Sequence, residues 1–357
     1  MGSVALDRVN NRIFVPDQRN GRVVVFPMNE QGGPAFPYAS NVLGKNTLIS
    51  RYTPNTEASE TQTLHTSGGT SYDAANDRLF VFDNPSGGYL SGTRGLVFDA
   101  TPDGLTDGQA ANRILIQPDF HSRETGLSEN RLSRAGGHVL DEANQRLFIS
   151  DAGNNRVLVF DVNADRLQND PDAYAVIGQS NFSSNEPGLG PSNLSGPAGL
   201  VYDTENERLF VGDDGNQRVL VFDVTPENLE TGMTASGVIG QPDFESRQPR
   251  TDPTQFSPGN MSFDPRYQRL FVVDDWRAEH QSNSRILVFD VHPDRMARMP
   301  EASHVIGQPD FNTFERLVSR NRFMLAKIGP NSVDPDRQLL YVVEGYLGGN
   351  RVTTFDI

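Results

Sequence analysis

One unit recurs six times along this chain, and that repetition restricts the fold more than any other feature. Its first element ends in Asp: SVALD (3–7), GTSYD (69–73), GHVLD (137–141), GLVYD (199–203), NMSFD (260–264) and PNSVD (330–334). Its second reads NRIFVPD, DRLFVFD, QRLFISD, ERLFVGD, QRLFVVD and QLLYVVE. Its third reads RVVVFP, RGLVFD, RVLVFD (twice), RILVFD and RVTTFD. A fourth follows five of the six: NVLGK, RILIQPDF, AVIGQSNF, GVIGQPDF and HVIGQPDF. The second-element aromatics Phe14, Phe80, Phe148, Phe210, Phe271 and Tyr341 lie about 61 to 70 residues apart. That spacing is too variable for a solenoid with fixed loops.

Each element is short, alternating and rich in β-branched residues, so each reads as a strand. Four antiparallel strands repeated six times predict an all-β, six-bladed β-propeller of four-stranded antiparallel blades. The expected arrangement is a single domain over 1–357, with blades near 1–48, 67–120, 135–182, 197–244, 258–311 and 327–357. The last blade lacks its outer strand, and an unpaired edge invites another strand. A chain trimmed from a longer precursor is the other explanation.

The units, and the VIGQPDF-type tag above all, resemble the NHL-repeat propellers of a bacterial group. The likeness runs over nearly the whole chain and implies six blades. It implies little about function, because one fold serves many sites.

Two columns of charge run through the repeat. An acid ends strand two in every unit (Asp17, Asp83, Asp151, Asp213, Asp274, Glu344) and an Arg begins strand three (Arg22, Arg94, Arg156, Arg218, Arg285, Arg351). The loop between them changes length, so the pair is expected to meet across the hairpin base through paired hydrogen bonds. A second pairing spans the first turn: Asp7–Arg12, Asp73–Arg78, Asp141–Arg146, Asp203–Arg208 and Asp264–Arg269, with Asp334 and a shifted Arg337 in the sixth unit. Only Lys45 and Lys327 are lysines among 31 basic residues, as expected where forked pairing matters. The repeated aromatics are expected to form the core between blades.

A net charge of −15 argues against nucleic acid and anionic membrane surfaces as partners. No apolar stretch is long enough for a transmembrane helix, and no signal peptide is present in this chain. Cysteine is absent, which removes disulfides and thiolate chemistry.

Candidate site residues are those that depart from the columns. Strand one should line the central channel, where Thr70, His138 and Asn331 interrupt the series Val4, Leu200, Met261. The loops after strand two are expanded in units two, five and six. They carry Tyr89, then Trp276, Arg277 and His280, then Tyr346. Exposed aromatics on such loops can stack on sugars or anchor a protein.

An NHL-repeat enzyme that this fold resembles, peptidylglycine amidoglycolate lyase, implies a zinc held by His on inner strands. Six-bladed lactonases imply a calcium ringed by acids and amides. Here only His138 and Asn331 lie near such positions. No cofactor is expected, although a structural calcium held by channel carbonyls would leave no trace in sequence. The leading expectation is an extracellular or periplasmic, non-catalytic binding or scaffold propeller whose loop face meets a protein or glycan. One alternative is a metal-dependent lyase or lactonase at the channel. Another is a structural subunit whose sixth blade is completed by a strand from another chain.

Overall fold

The computed structural model describes residues 4–17, 20–29, 38–49, 59–61, 63, 69–83, 92–247, 256, 258–274, 277–278, 281–282, 285–296, 300–313, 328–344 and 351–357. The chain divides into two compact units, Met1–Asn154 with Leu158–Ala175, and Asn155–Val157 with Val176–Ile357.

Blade one is β1 (Ala5–Asp7), β2 (Arg12–Asp17), β3 (Arg22–Pro27) and β4 (Asn41–Leu43). Blade two is β5 (Gly69–Asp73), β6 (Arg78–Asp83), β7 (Arg94–Asp99) and β8 (Arg113–Leu115). Blade three is β9 (Ala135–Asp141), β10 (Arg146–Asp151), β11 (Arg156–Asp161) and β12 (Ala175–Ile177). Blade four is β13 (Pro197–Asp203), β14 (Arg208–Asp213), β15 (Arg218–Asp223) and β16 (Gly237–Ile239). Blade five starts with β17 (Pro258–Asp264) and β18 (Arg269–Asp274). A two-stranded ribbon, β19 (Arg277–Ala278) with β20 (Gln281–Ser282), rises from its expanded loop before β21 (Arg285–Asp290) and β22 (Ala302–Ile306) complete the blade. Blade six is β23 (Ile328–Asp334), β24 (Leu339–Glu344) and β25 (Arg351–Asp356), a three-stranded sheet.

The repeated aromatics are core. Phe14, Phe80, Phe148, Phe210 and Phe271 are buried, as are Phe98, Phe160, Phe222 and Phe289. Within the first unit, Phe14, Val23 and Val25 of blade one share an apolar cluster with Leu79, Leu96 and Phe98 of blade two. Within the second unit, Phe210 and Val221 join Leu270 and Phe289 in the same way. Each buried ring contributes about 1.5–3 kcal/mol. Within each unit the repeated column therefore packs one blade against the next.

Polar links reinforce that packing. The first-turn arginines are tied to their own Asp at 2.5 Å (Arg12–Asp7, Arg78–Asp73, Arg146–Asp141) and 2.7 Å (Arg208–Asp203, Arg269–Asp264). Three of them also reach a carbonyl one blade on. Arg12 donates to the Ala100 carbonyl, Arg78 to that of Val162 and Arg208 to that of Val291, at 2.6, 2.8 and 2.9 Å. The turns that present these Arg close through a left-handed residue at φ 47–54°, namely Asn11, Asp77, Gln145, Glu207, Gln268 and Gln338. In unit six the pairing is looser, with Arg337 at 3.6 Å from Asp334.

The tag after strand four has its own logic. A left-handed residue follows the strand: Gly44, Gly178, Gly240 and Gly307, but Ile116 in blade two, at φ 62°. A Cβ on Gly178 would lie 2.4 Å from Leu194, and one on Gly240 would lie 2.7 Å from Phe256. There a neighbouring side chain fills the space, whereas in blade two buried Ile116 fills it itself. Ile116→Gly would relieve about 1–2 kcal/mol of backbone strain but open a cavity costing about 2–5 kcal/mol. We expect a net loss of about 1–2 kcal/mol, read as a lower urea midpoint; a gain would show that strain outweighs packing.

Candidate functional site

The repeated charges resolve into architecture. Arg218 and Asp213 are both fully buried and meet at 2.7 Å. The Asp213 carboxylate also accepts from the Ser195 backbone N–H at 2.6 Å and the Asn216 amide at 2.9 Å. Burial pushes the Asp213 carboxyl up, against the pull of Arg218 and these donors. The same hairpin-base contact joins Arg22 to Asp17, Arg94 to Asp83 and Arg285 to Asp274 at 2.7, 2.5 and 2.9 Å. In blade six, Glu344 and Arg351 occupy the paired register position.

In blades one to five the Arg of this column (Arg22, Arg94, Arg156, Arg218 and Arg285) performs a second task that links strand three to the tag. Its Nη1 donates to a carbonyl in the turn beyond strand four: Leu48, Phe120, Phe182, Phe244 and Phe311. The tag's glutamine is buried and bridges carbonyls. Gln117 donates to Thr93 at 3.0 Å and Glu124 at 2.9 Å, and Gln179 donates to Asn155 at 3.0 Å and Glu186 at 2.9 Å. Its acid caps the following turn, and Ser122 and backbone N–H groups hold Asp119 below the usual carboxylate range. In blade one Lys45 takes the glutamine's place. It donates to the Thr63 carbonyl at 3.0 Å, and burial lowers its pKa.

What remains is the set of departures from the columns. Thr70 is buried on β5, opposite Val81. His138 lies half-buried on β9, opposite Ile149, and β5 packs against β9. The His138 ring sits 4.0 Å from the Phe82 ring at 32°. Phe82 is itself a departure, since its column otherwise reads Pro16, Ser150, Gly212, Val273 and Val343. Opposite Phe82 in the next strand stands Gly95, where other blades carry Val or Ile. A Cβ on Gly95 would lie 3.4 Å from the Phe82 ring. The three residues form one compensated set, in which the phenyl ring covers the glycine and the imidazole covers the phenyl. The sequence carried this signal in two further columns that the reading of strand one left aside.

Asn331 lies on β23 opposite Val342, in the other unit from Thr70 and His138. Arg277 stands on β19, paired with Ser282. Tyr89, Trp276, His280 and Tyr346 lie outside the described residues.

In blades three to six strand one opens in a bulge that includes a small residue. Two residues there face one across the pair: Gly136 and Gly137 against Ser150, Ala198 and Gly199 against Gly212, Gly259 and Asn260 against Val273, Gly329 and Pro330 against Val343. A bulge re-aims the strand beyond it and is common beside functional sites. In the first unit a pocket of about 250 Å³ is lined by Arg78, Val97, Phe98, Asn112, Arg113, Ala164 and Leu167. Among the described residues, no three of His, Asp and Glu converge in a way that could hold a metal ion.

Six antiparallel blades with a three-stranded last blade define a six-bladed β-propeller. Solved structures agree on that class. The β-propeller domain of Cps50 (Swd1) from Myceliophteria thermophila is 10% identical, with TM-score 0.56, over 99% of this chain and 82% of that one. The periplasmic gluconolactonase of Pseudomonas aeruginosa is 13% identical, with TM-score 0.55, over 99% of this chain and 85% of that one. A proposed 6-phosphogluconolactonase of Bacteroides uniformis is 11% identical, with TM-score 0.53, over 98% and 82%. At such identities the likeness is one of fold. No protein-family model matches the chain, and no curated protein matches it in sequence.

Proposed function

We propose that this chain is a non-catalytic NHL-type propeller that binds a protein or a glycan through the loops at one end of its blades, outside the cytoplasm. One observation carries the reading. The described acids and guanidiniums of the repeated columns are engaged with each other and with backbone groups, as at Asp213 and Arg218. The chemistry that could vary therefore lies in the loops after strand two, which hold Trp276, Arg277, His280, Tyr89 and Tyr346. Irregular loops on a rigid scaffold are where binding residues concentrate.

The second reading, a metal-dependent lactonase, is favoured by the likeness to a gluconolactonase. The two separate in one set of assays. Purified protein is expected to leave aldonolactones at their uncatalysed rate of opening, with or without added calcium, zinc or magnesium. It is expected to bind on glycan or peptide arrays in a manner lost in Trp276→Ala and kept in His138→Ala. Metal-dependent turnover abolished by His138→Ala would instead establish the enzyme.

A further inference from the structure

The pocket of blade two lies where blades three and four place a larger side chain. Its volume is about 250 Å³, and all of its lining belongs to the first unit. Val97 and Phe98 of β7 and Leu167 from the turn after β11 give it buried apolar walls. The residue just before strand four donates its backbone N–H to strand three in each of the first four blades: Ser40 to Val25, Asn112 to Val97, Tyr174 to Val159 and Ser236 to Val221. Asn112 in blade two therefore stands where blade three has Tyr174. The Tyr174 hydroxyl accepts a hydrogen bond from Arg146, the counterpart of Arg78. In blade four the residue after Ser236 is Gly237, and a Cβ there would lie 2.9 Å from the methyl group of Met296. Leu167 is the counterpart of Met296, each six places beyond the acid that ends strand three, and it is shorter. With Asn112 for Tyr and Leu167 for Met, blade two keeps the space open.

The polar lining has donors to spare. Arg78 spends Nε and Nη2 on Asp73, Gln145 and the Val162 carbonyl, and its Nη1 has no partner among the described residues. Arg208, its counterpart in blade four, has all three nitrogens engaged. Arg113 donates only to the carbonyls of Leu167 and Asn112, so among the described residues its charge meets no carboxylate and its Nη2 no acceptor. The Asn112 carboxamide also makes no hydrogen bond among them. An unanswered guanidinium beside an apolar wall suits an anion with an apolar body. Guanidinium and carboxylate match through parallel hydrogen bonds.

We propose that this pocket binds a small aromatic carboxylate, one ring bearing one acid group. The ring stands in for the tyrosine side chain that blade three supplies itself, and packs against Val97 and Leu167. The carboxylate accepts from Arg113 and from Arg78, as the Tyr174 hydroxyl accepts from Arg146. Few and well-placed polar groups in a mostly apolar pocket are the usual make-up of a small-molecule site. The site lies among the turns after strands one and three, not among the loops after strand two, and the inference does not rest on the loop reading.

The probe is benzoate, added to the full chain and followed by saturation-transfer NMR and calorimetry. Saturable binding is expected. Arg113→Met should weaken it by about tenfold or more, and so should replacing benzoate with uncharged benzamide, since each removes a charge-assisted hydrogen bond. Asn112→Tyr gives blade two the side chain of blade three and should abolish binding. Asn112 and Arg113 are exposed, so both variants should keep the circular dichroism and melting temperature of the parent. Absence of saturable binding overturns the proposal. Equal affinity of the parent for benzamide, or binding unchanged in Asn112→Tyr or Arg113→Met, overturns it as well.

Discussion

Arg218→Ala is expected to destabilise the protein by about 3–5 kcal/mol, the range for stripping one partner from a buried ion pair. The loss has several parts. Asp213 is fully buried and would be left with only Ser195 and Asn216 to answer it. The carbonyls of Gly190, Asn193 and Phe244 would lose the guanidinium that now binds them. Those carbonyls belong to two different turns, so one side chain ties the hairpin base to both. Arg218→Lys should recover little, because an ammonium cannot reproduce a fork spread over four oxygens. Removing both charges, as Asp213→Asn with Arg218→Met, should cost less than the two single losses added together. The contrast is blade one, where Arg22 and Asp17 are 17% and 28% exposed. Arg22→Ala should cost only about 1 kcal/mol. Urea unfolding of these variants, with Asp213→Asn and Arg218→Met also made singly, tests this, and equal losses at Arg218 and Arg22 would refute the assignment of burial as the cause.

The columns explain why so much of this fold is legible in the sequence. A residue kept in register through loops of different length must contact something that is also kept, and Asp213 and Arg218 do. Aromatic, acid and Arg columns therefore give strand order, hairpin register and the packing layer between blades. The left-handed turn before strand two is less visible, since Asn, Asp, Gln and Glu share the position and none announces positive φ. His138 is a sharper case. Read in its own column it is a lone imidazole near a channel; beside Phe82 and Gly95 it completes a packing exchange. Bulges are harder still to read. Two residues opposite one is a property of pairing, and the small residues that permit it look the same as small residues kept for space.

Space itself can be tested within that small column, and Gly199 and Gly259 give opposite answers. Both lie in the bulges that open strand one, in blades four and five. A Cβ on Gly199 would stand 2.5 Å from the carbonyl oxygen of Gly259. Backbone cannot swing aside as a side chain can, so the two strands would have to part. Parting them disturbs the cluster in which Val201 and Phe210 meet Met261 and Phe289. A Cβ on Gly259 meets nothing within 4 Å. Gly199→Ala is therefore expected to cost about 1–3 kcal/mol and Gly199→Val about 3 kcal/mol or more. Gly259→Ala should be neutral or stabilising by up to about 1 kcal/mol, since it narrows the unfolded ensemble without a clash. Thermal and urea unfolding of the three variants read the difference directly. If Gly259→Ala destabilises as much as Gly199→Ala, backbone freedom rather than close approach governs the column. The opening of strand one would then be a conformational requirement, whereas the distances argue that Gly199 answers the close approach of the Gly259 carbonyl in blade five.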